Sequence, residues 1–109
     1  MNYVEFVADN KEYKLRLTTR STVMLEKKLG CNPLAIFGSG DTIPTITVMV
    51  AILHASLQSL NHGITESDAY DIFDKWIEEG HTTIEFVNVI LEIYKASGIV
   101  PKEVKEEKN

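Results

Sequence analysis

Three histidines, His54, His62 and His81, are the side chains best suited to metal coordination or to general base catalysis. Metal-binding histidines on one helix usually lie three or four residues apart, and these three lie further apart, without a His-Glu-x-x-His pattern. Their spacing therefore predicts no metal ligand and no catalytic residue. The alternative is an enzyme whose site is assembled from residues distant in sequence, for example His54 with Asp71 or Glu85.

Acidic side chains are concentrated in residues 68–79, where they could suggest a calcium site. An EF-hand needs a loop of about 12 residues with ligands at fixed positions and a glycine in the middle, which this segment lacks. Helical spacing instead predicts a solvated helix face. The residues concerned are Asp68, Asp71, Asp74, Glu78 and Glu79.

Two shorter features could also bind or react with a ligand. The segment Gly38-Ser39-Gly40 is too short for a phosphate-binding loop and is not followed by Lys-Ser/Thr, so we predict a flexible connection through Asp41. Cys31, the single cysteine, excludes an intrachain disulfide and has no histidine partner nearby in sequence. A small buried thiol is favoured over a nucleophile. We expect no cofactor.

The composition is that of a small globular protein. Of its 109 residues 44% are hydrophobic and 25% charged, with a formal net charge of -5. An acidic balance argues against binding to duplex nucleic acid, which requires clustered Lys and Arg. The longest apolar stretch, residues 46–60, is shorter than the roughly 20 residues of a membrane span, and the N-terminus lacks a signal-peptide pattern. We expect a cytoplasmic protein without nucleic acid or membrane partners.

The N-terminal segment predicts a β-hairpin. Val4 and Phe6 share one face of an extended run, and apolar and charged residues alternate again over residues 13–17. Asp9 and Asn10 suit the turn because both tolerate left-handed backbone. Two strands alone are marginally stable, so their apolar face must pack against the rest of the chain.

Two short helical elements are predicted next. Hydroxyl side chains precede a helix at residues 20–29, and Gly30 stands where a helix C-terminus favours glycine. The pair Asn32-Pro33 then combines a helix N-cap with a residue suited to the first helical position.

Three longer helices follow. Apolar residues recur at helical spacing over residues 46–60 and predict a central helix, although the β-branched run at residues 45–50 competes as a strand. Capping-box patterns at residues 65–68 and 82–85 begin two more helices. The fold class predicted is α+β and mostly helical: an N-terminal β-hairpin, short helices, then a bundle of about three longer helices. Residues 1–101 form one domain, and residues 102–109 form a flexible charged tail.

Some apolar residues exceed what one core stripe requires. Leu34, Ile36 and Phe37 lie on a short element bounded by glycine, and Phe86 and Tyr94 belong to a helix that is apolar around more than one face. Excess apolar surface indicates a protein partner or self-association. We predict partner contacts at the first three residues, with Phe86 and Tyr94 second. Internal packing of each residue remains the alternative.

Several segments together resemble a known family, the small tail assembly chaperones of siphophages and related prophages. The resemblance covers residues 3–98. Its segments are KEYKLRL (11–17), LEKKLG (25–30), NPL (32–34), ILHASLQ (52–58) and the acidic helix around DIFD (71–74).

The resemblance implies a protein that binds the tape measure protein, keeps its long helices soluble and helps to recruit the major tail protein. Such a protein acts in the bacterial host cytoplasm and is not expected in the mature virion. Related families often make a longer form by programmed frameshift, and residues 107–109 could be encoded by GAA-AAA-AAC, which contains a slippery heptanucleotide. This chain would be the short form, and it could form a homo-oligomer.

A second reading from a different class is a small acidic regulatory or inhibitory module, encoded by a prophage, that binds a host protein. The same acidic helical surface would serve it. The position of the gene beside tail-tube and tape-measure genes would separate the two readings.

Overall fold

The computed structural model describes residues 2–38 and 43–102. The elements in chain order are β1 (Val4–Ala8), β2 (Lys11–Leu15), α1 (Thr19–Leu29), a 3-10 turn (Pro33–Phe37), α2 (Ile46–Leu57), α3 (Glu66–Glu78) and α4 (Thr83–Ala96). The predicted α+β class, with a hairpin followed by helices, is confirmed.

Three predictions lie wholly or mostly outside the described residues. Of the flexible connection predicted at residues 38–41, only Gly38 is described, and of the charged tail at residues 102–109 only Lys102. The frameshift hypothesis concerns residues 107–109, which are not described.

The hairpin forms at the predicted turn. Asp9 and Asn10 both adopt left-handed backbone, with φ of 54° and 60°, as a tight two-residue hairpin turn requires. The strands pair antiparallel with Ala8 opposite Lys11. Alternation along β1 then buries Phe6 and Ala8 on one face.

Hydrogen bonds fasten the hairpin to the far end of the chain. Arg16 Nη1 donates to the backbone oxygen of Ala96 at 2.6 Å. The backbone N–H of Leu17 donates to Ser97 Oγ at 2.8 Å. Both acceptors lie where α4 ends, so these bonds join the segment after β2 to the C-terminal end of α4.

Asn61 covers the outer edge of β2. The backbone N–H of Lys14 donates to Asn61 Oδ1 at 3.1 Å, and Asn61 Nδ2 donates to the backbone oxygen of Lys14 at 2.6 Å. The same Nδ2 lies 3.0 Å from the backbone oxygen of Leu57. One side-chain amide therefore satisfies a strand edge and joins it to the end of α2.

Capping boxes begin three of the helices. In each box a threonine hydroxyl accepts the backbone N–H three residues later, whose side chain accepts the threonine N–H in return. The pairs are Thr18 with Ser21, Thr65 with Asp68 and Thr82 with Glu85. The last two were predicted, and α1 ends at Gly30 in left-handed backbone with φ of 75°, also as predicted.

Helix α2 is central, packing against α1, α3, α4 and β2. The hydroxyl of Thr45 accepts the backbone N–H of Val48 at 3.2 Å, so the β-branched run begins a helix, not a strand. The helix ends at Leu57 instead of continuing to residue 60, and Gln58 Nε2 holds the following turn by donating to the backbone oxygen of Ile64 at 3.0 Å. Within the described residues no helix is long and apolar enough to cross a bilayer.

An aromatic cluster joins β1, α3 and α4. Phe6, Phe73, Trp76 and Phe86 have ring centroids 5.1 to 6.2 Å apart, in stacked, tilted and edge-to-face pairs. His81 stacks parallel on the outer face of the cluster, 4.3 Å from Trp76. Aromatic pairs of this kind each add about 0.5–1.5 kcal/mol beyond the area they bury. This cluster therefore fixes α3 and α4 against β1.

Candidate protein-binding grooves

The 3-10 turn presents only part of its predicted apolar surface. Leu34 is 45% exposed, whereas Ile36 and Phe37 are half-buried and pack against the core. The ring of Phe37 meets Tyr94 edge to face at 6.2 Å. Leu34 is therefore the predicted contact residue most available to a partner.

Phe86 and Tyr94 are fully buried, so neither side chain is available at the surface of this fold. Phe86 belongs to the aromatic cluster. The hydroxyl of Tyr94 donates to the backbone oxygen of Pro33 at 2.9 Å. Burial, with a smaller contribution from nearby Cys31, raises the pKa of Tyr94 above its ordinary value. The internal-packing alternative explains both residues, and the partner contacts assigned to them are corrected.

A groove opens between α1 and α2 and is closed at one end by the start of α3. It encloses about 330 Å³. The groove forms because α2 contributes two small side chains, Ala51 and Ala55, to its floor beside Leu25 of α1. Its remaining lining consists of Met24, Lys27, Lys28, His54 and Glu66. We call this the α1–α2 groove.

An ion pair crosses the closed end of the α1–α2 groove. Lys28 Nζ lies 2.9 Å from Glu66 Oε2. This hydrogen bond raises the pKa of Lys28 and lowers the pKa of Glu66, and both carboxylate and ammonium are solvent-exposed. An exposed pair contributes little stability. Its effect here is geometric, because it joins the last turn of α1 to the first turn of α3.

A second groove lies between α2 and α3 and reaches the start of α4. It encloses about 450 Å³, and we call it the α2–α3 groove. Ile46 is 55% exposed and Tyr70 is 50% exposed, so large apolar surface faces solvent on both walls. The complete lining is Ile46, Val50, Tyr70, Asp71, Phe73, Asp74, Ile77 and Thr83.

The two grooves adjoin each other. On α3 the lining positions Glu66, Tyr70, Phe73 and Ile77 recur at helical spacing, so they share one face. Tyr70 also lies close enough to Lys28 to contribute to its raised pKa. The face from Glu66 to Ile77 is about 16 Å long at 1.5 Å per residue, which matches three turns of a docked helix.

Charge is divided between the two sides of this surface. Arg20 and Lys27, on the outer face of α1, are exposed, as are Asp71 and Asp74 on α3. Within residues 2–38 and 43–102 none of these four side chains forms an ion pair. The α1 side therefore offers spare positive charge and the α3 side spare negative charge.

The histidines lie in separate places. His54 lines the α1–α2 groove, whereas Asp71 lines the other groove, and Glu85 accepts from His81 at 3.2 Å instead. That bond lowers the pKa of Glu85. No group of three or more potential metal ligands occurs among the described residues.

Two further predictions concern the exposure of Cys31 and of the acidic residues of α3. Cys31 is exposed, so the prediction of a buried thiol is wrong. It follows the αL residue Gly30 and precedes the 3-10 turn, where the chain runs over the surface. The acidic residues of α3 form a largely solvated face, as predicted, with Asp71, Asp74 and Glu78 exposed.

Over the described residues the fold is a small α+β domain in which a two-stranded hairpin and four α-helices share one hydrophobic core. The chain belongs to DUF6096, a family of unknown function whose profile matches residues 5–109. No curated protein and no solved structure matches it.

Sequence reasoning did not identify the residues that dominate the exposed apolar surface of the grooves. The helical spacing over residues 46–60 places Ile46 on the apolar stripe of α2, and Met24 and Tyr70 belong to none of the predicted contacts. The sequence carries a signal for Met24, which is 41% exposed and lies off the helical spacing of Thr22, Leu25 and Leu29. An apolar residue on the polar side of a helix is the pattern to look for.

Proposed function

We propose that this protein is a phage tail assembly chaperone that holds helices of the tape measure protein in its two adjoining grooves. The observation that carries the proposal is an apolar surface of helical length, with Met24, Ile46 and Tyr70 exposed on it. A docked amphipathic helix buries its apolar face in such a groove, with anchors at i, i+3, i+4 and i+7. The resemblance over residues 3–98 supports the identity of the client.

The mechanism is reversible shielding. A long helical client exposes apolar stripes before it is assembled, and each stripe would aggregate with others. One copy of the protein covers about three turns, and many copies along one client are bound more tightly than each alone because neighbouring sites raise the effective concentration. The charged rims keep the complex soluble. No cofactor takes part.

Further parts of the proposal concern location and partners. The protein acts in the host cytoplasm, leaves before the virion matures and helps to recruit the major tail protein, mainly through a longer frameshifted form. Homo-oligomerisation would multiply the grooves. Sequencing the gene at the codons for residues 107–109 tests the frameshift, because absence of the slippery heptanucleotide contradicts it.

The test is co-expression with the long, helix-rich open reading frame encoded nearby. We expect the client to become soluble and to co-purify with this chain. Ile46→Gln should reduce co-purification, since it removes exposed apolar area from the α2–α3 groove. Leu91→Gln is the matched control, because Leu91 is a partly exposed helix residue that lines neither groove.

A client that stays insoluble with and without this chain, with the longer form also tested, would contradict the proposal. The acidic face of α3 would then favour the alternative, a small regulatory or inhibitory module that binds a basic host protein. That reading predicts binding that depends on Asp71 and Asp74 but not on Ile46.

A further inference from the structure

The two sides of the groove surface differ in charge, and this difference carries an inference about the partner. Arg20 and Lys27 are seven residues apart on α1 and so share one face, and Asp71 and Asp74 are one turn apart on α3. Both helices pack on α2, which provides the floor between them. A helix lying over α2 would therefore have positive side chains along one flank and negative side chains along the other.

We propose that the grooves select an amphipathic helix whose apolar stripe is bordered by acidic residues on one side and basic residues on the other, and that this charge pattern fixes the direction of the bound helix. The inference rests on the proposed function, because it specifies the client segment that the grooves accept. The acidic flank of the partner faces Arg20 and Lys27, and its basic flank faces Asp71 and Asp74.

The ion pair between Lys28 and Glu66 supports this proposal. Lys28 and Glu66 neutralise each other across the closed end of the α1–α2 groove, so they add no net charge for a partner. The unpaired charges lie beside this pair and beyond it: Lys27 lines the α1–α2 groove, Arg20 lies two turns earlier on α1, and Asp71 and Asp74 line the α2–α3 groove. Apolar contact supplies most of the affinity, and the rim charges decide orientation, since exposed charge pairs contribute modestly to binding but repel a misplaced like charge.

Reversal of a helix end for end exchanges its left and right flanks as seen from the groove. A peptide with the two flanks swapped should therefore still bind, but in the opposite direction. A peptide with acidic and basic residues mixed on both flanks satisfies neither direction fully and should bind more weakly.

The experiment uses the full chain and three designed helical peptides of about 18 residues. All three have the same apolar stripe and the same amino-acid composition. The first has an acidic flank and a basic flank, the second has these two flanks exchanged, and the third has acidic and basic residues mixed on both flanks. At low salt we expect both separated peptides to bind about tenfold more tightly than the mixed one, and the difference to shrink in about 1 M salt. A nitroxide at the peptide N-terminus should broaden amide signals near Ile46 for one separated peptide and near Glu66 for the other.

Charge reversal provides the second arm. Arg20→Glu with Lys27→Glu should weaken binding of the separated peptides about tenfold, because both sides of the groove then carry negative charge. Adding Asp71→Lys and Asp74→Lys restores opposite charges on the two sides. We expect affinity to return and the direction of each separated peptide to be inverted, which loss of structure cannot produce.

A matched control keeps net charge out of the comparison. Lys14→Glu with Lys102→Glu changes the net charge by the same amount at exposed sites outside the two grooves, and affinities should stay within about twofold. The inference is overturned if separated and mixed peptides bind equally tightly, or if both separated peptides bind in the same direction. In either case the proposed function still stands if the client co-purifies with the chain. Absence of peptide binding also overturns it. Failure of client and peptides together refutes both.

Discussion

The hydrogen bond from Tyr94 to Pro33 offers a sharp test of how the 3-10 turn is held. Tyr94 is fully buried and its hydroxyl reaches the backbone oxygen of Pro33 at 2.9 Å, 61 residues away in sequence. Tyr94→Phe removes only the hydroxyl and leaves the ring that packs against Phe37. The free energy of unfolding should therefore report this one bond.

The expected loss is about 1 kcal/mol, the typical net contribution of an intramolecular hydrogen bond. Unfolding entropy of about 2.1 cal/mol/K per residue gives about 0.23 kcal/mol/K for a chain of this length. The melting temperature should therefore fall by about 4 °C. Urea denaturation should show a lower midpoint with an unchanged slope, since the same surface is exposed on unfolding.

The loss should also depend on pH. Burial raises the pKa of Tyr94 above its ordinary value of about 10. Below pH 10 both the folded and the unfolded chain keep the phenol proton, so the hydroxyl contributes its full stability. Above pH 10 the unfolded chain releases a proton that the folded chain retains, and stability falls by up to about 1.4 kcal/mol per pH unit. The unaltered protein should therefore lose its higher free energy of unfolding relative to Tyr94→Phe near pH 11, and should be the less stable of the two above that pH.

The assay is urea denaturation from pH 7 to pH 11 of the unaltered protein, Tyr94→Phe and the control Tyr70→Phe, whose side chain is half-exposed. The control should stay within about 0.5 kcal/mol of the unaltered protein at pH 7. Equal stability of all three proteins at pH 7 would refute the role of the bond. A difference between the unaltered protein and Tyr94→Phe that stays constant through pH 11 would refute the argument from burial.

Four further substitutions test other contacts. Asn61→Ala should cost about 1–2 kcal/mol in urea denaturation and speed amide exchange at the edge of β2. Gly30→Ala should cost about 1 kcal/mol despite open space around it, because its φ of 75° strains a side chain. Asp68→Ala should lower the urea midpoint at pH 7, because it removes the acceptor of the Thr65 N–H in the capping box. The backbone N–H of Thr65 lowers the pKa of Asp68, so that contribution is present above about pH 4 and lost as pH falls further. Ala51→Leu should reduce client co-purification, because it fills the α1–α2 groove, and should cost about 1–3 kcal/mol since Ala51 is also buried.

The elements predicted correctly are those with local signals. The turn at Asp9 and Asn10, the two later capping boxes and the glycine after α1 each depend on residues within four positions of one another. The end of α2 was missed because Gln58 and Asn61 act through contacts with Ile64 and with a strand 47 residues away. Periodicity continues past Leu57 and gives no sign of these contacts.

The candidate surface was harder to predict than the fold. Spacing assigns a residue to one side of a helix but does not say which neighbour covers that side. Phe86 and Tyr94 are covered completely, whereas Ile46 continues the same apolar stripe as the rest of α2 and is left exposed at its first turn. Only the packing of α3 and α4 around α2 distinguishes these cases.

The exposed part of the groove surface can change with little effect on the fold, whereas the buried lining residues cannot. Met24, Ile46 and Tyr70 are exposed, so substitutions there remove few core contacts and should mainly affect binding. Phe73 is an example of a buried lining residue, because it lines the α2–α3 groove and lies 5.1 Å from Phe86 in the aromatic cluster. A loss of binding in a Phe73 variant would therefore mix destabilisation with lost contact. Mapping of the proposed site is decisive only at the three exposed residues.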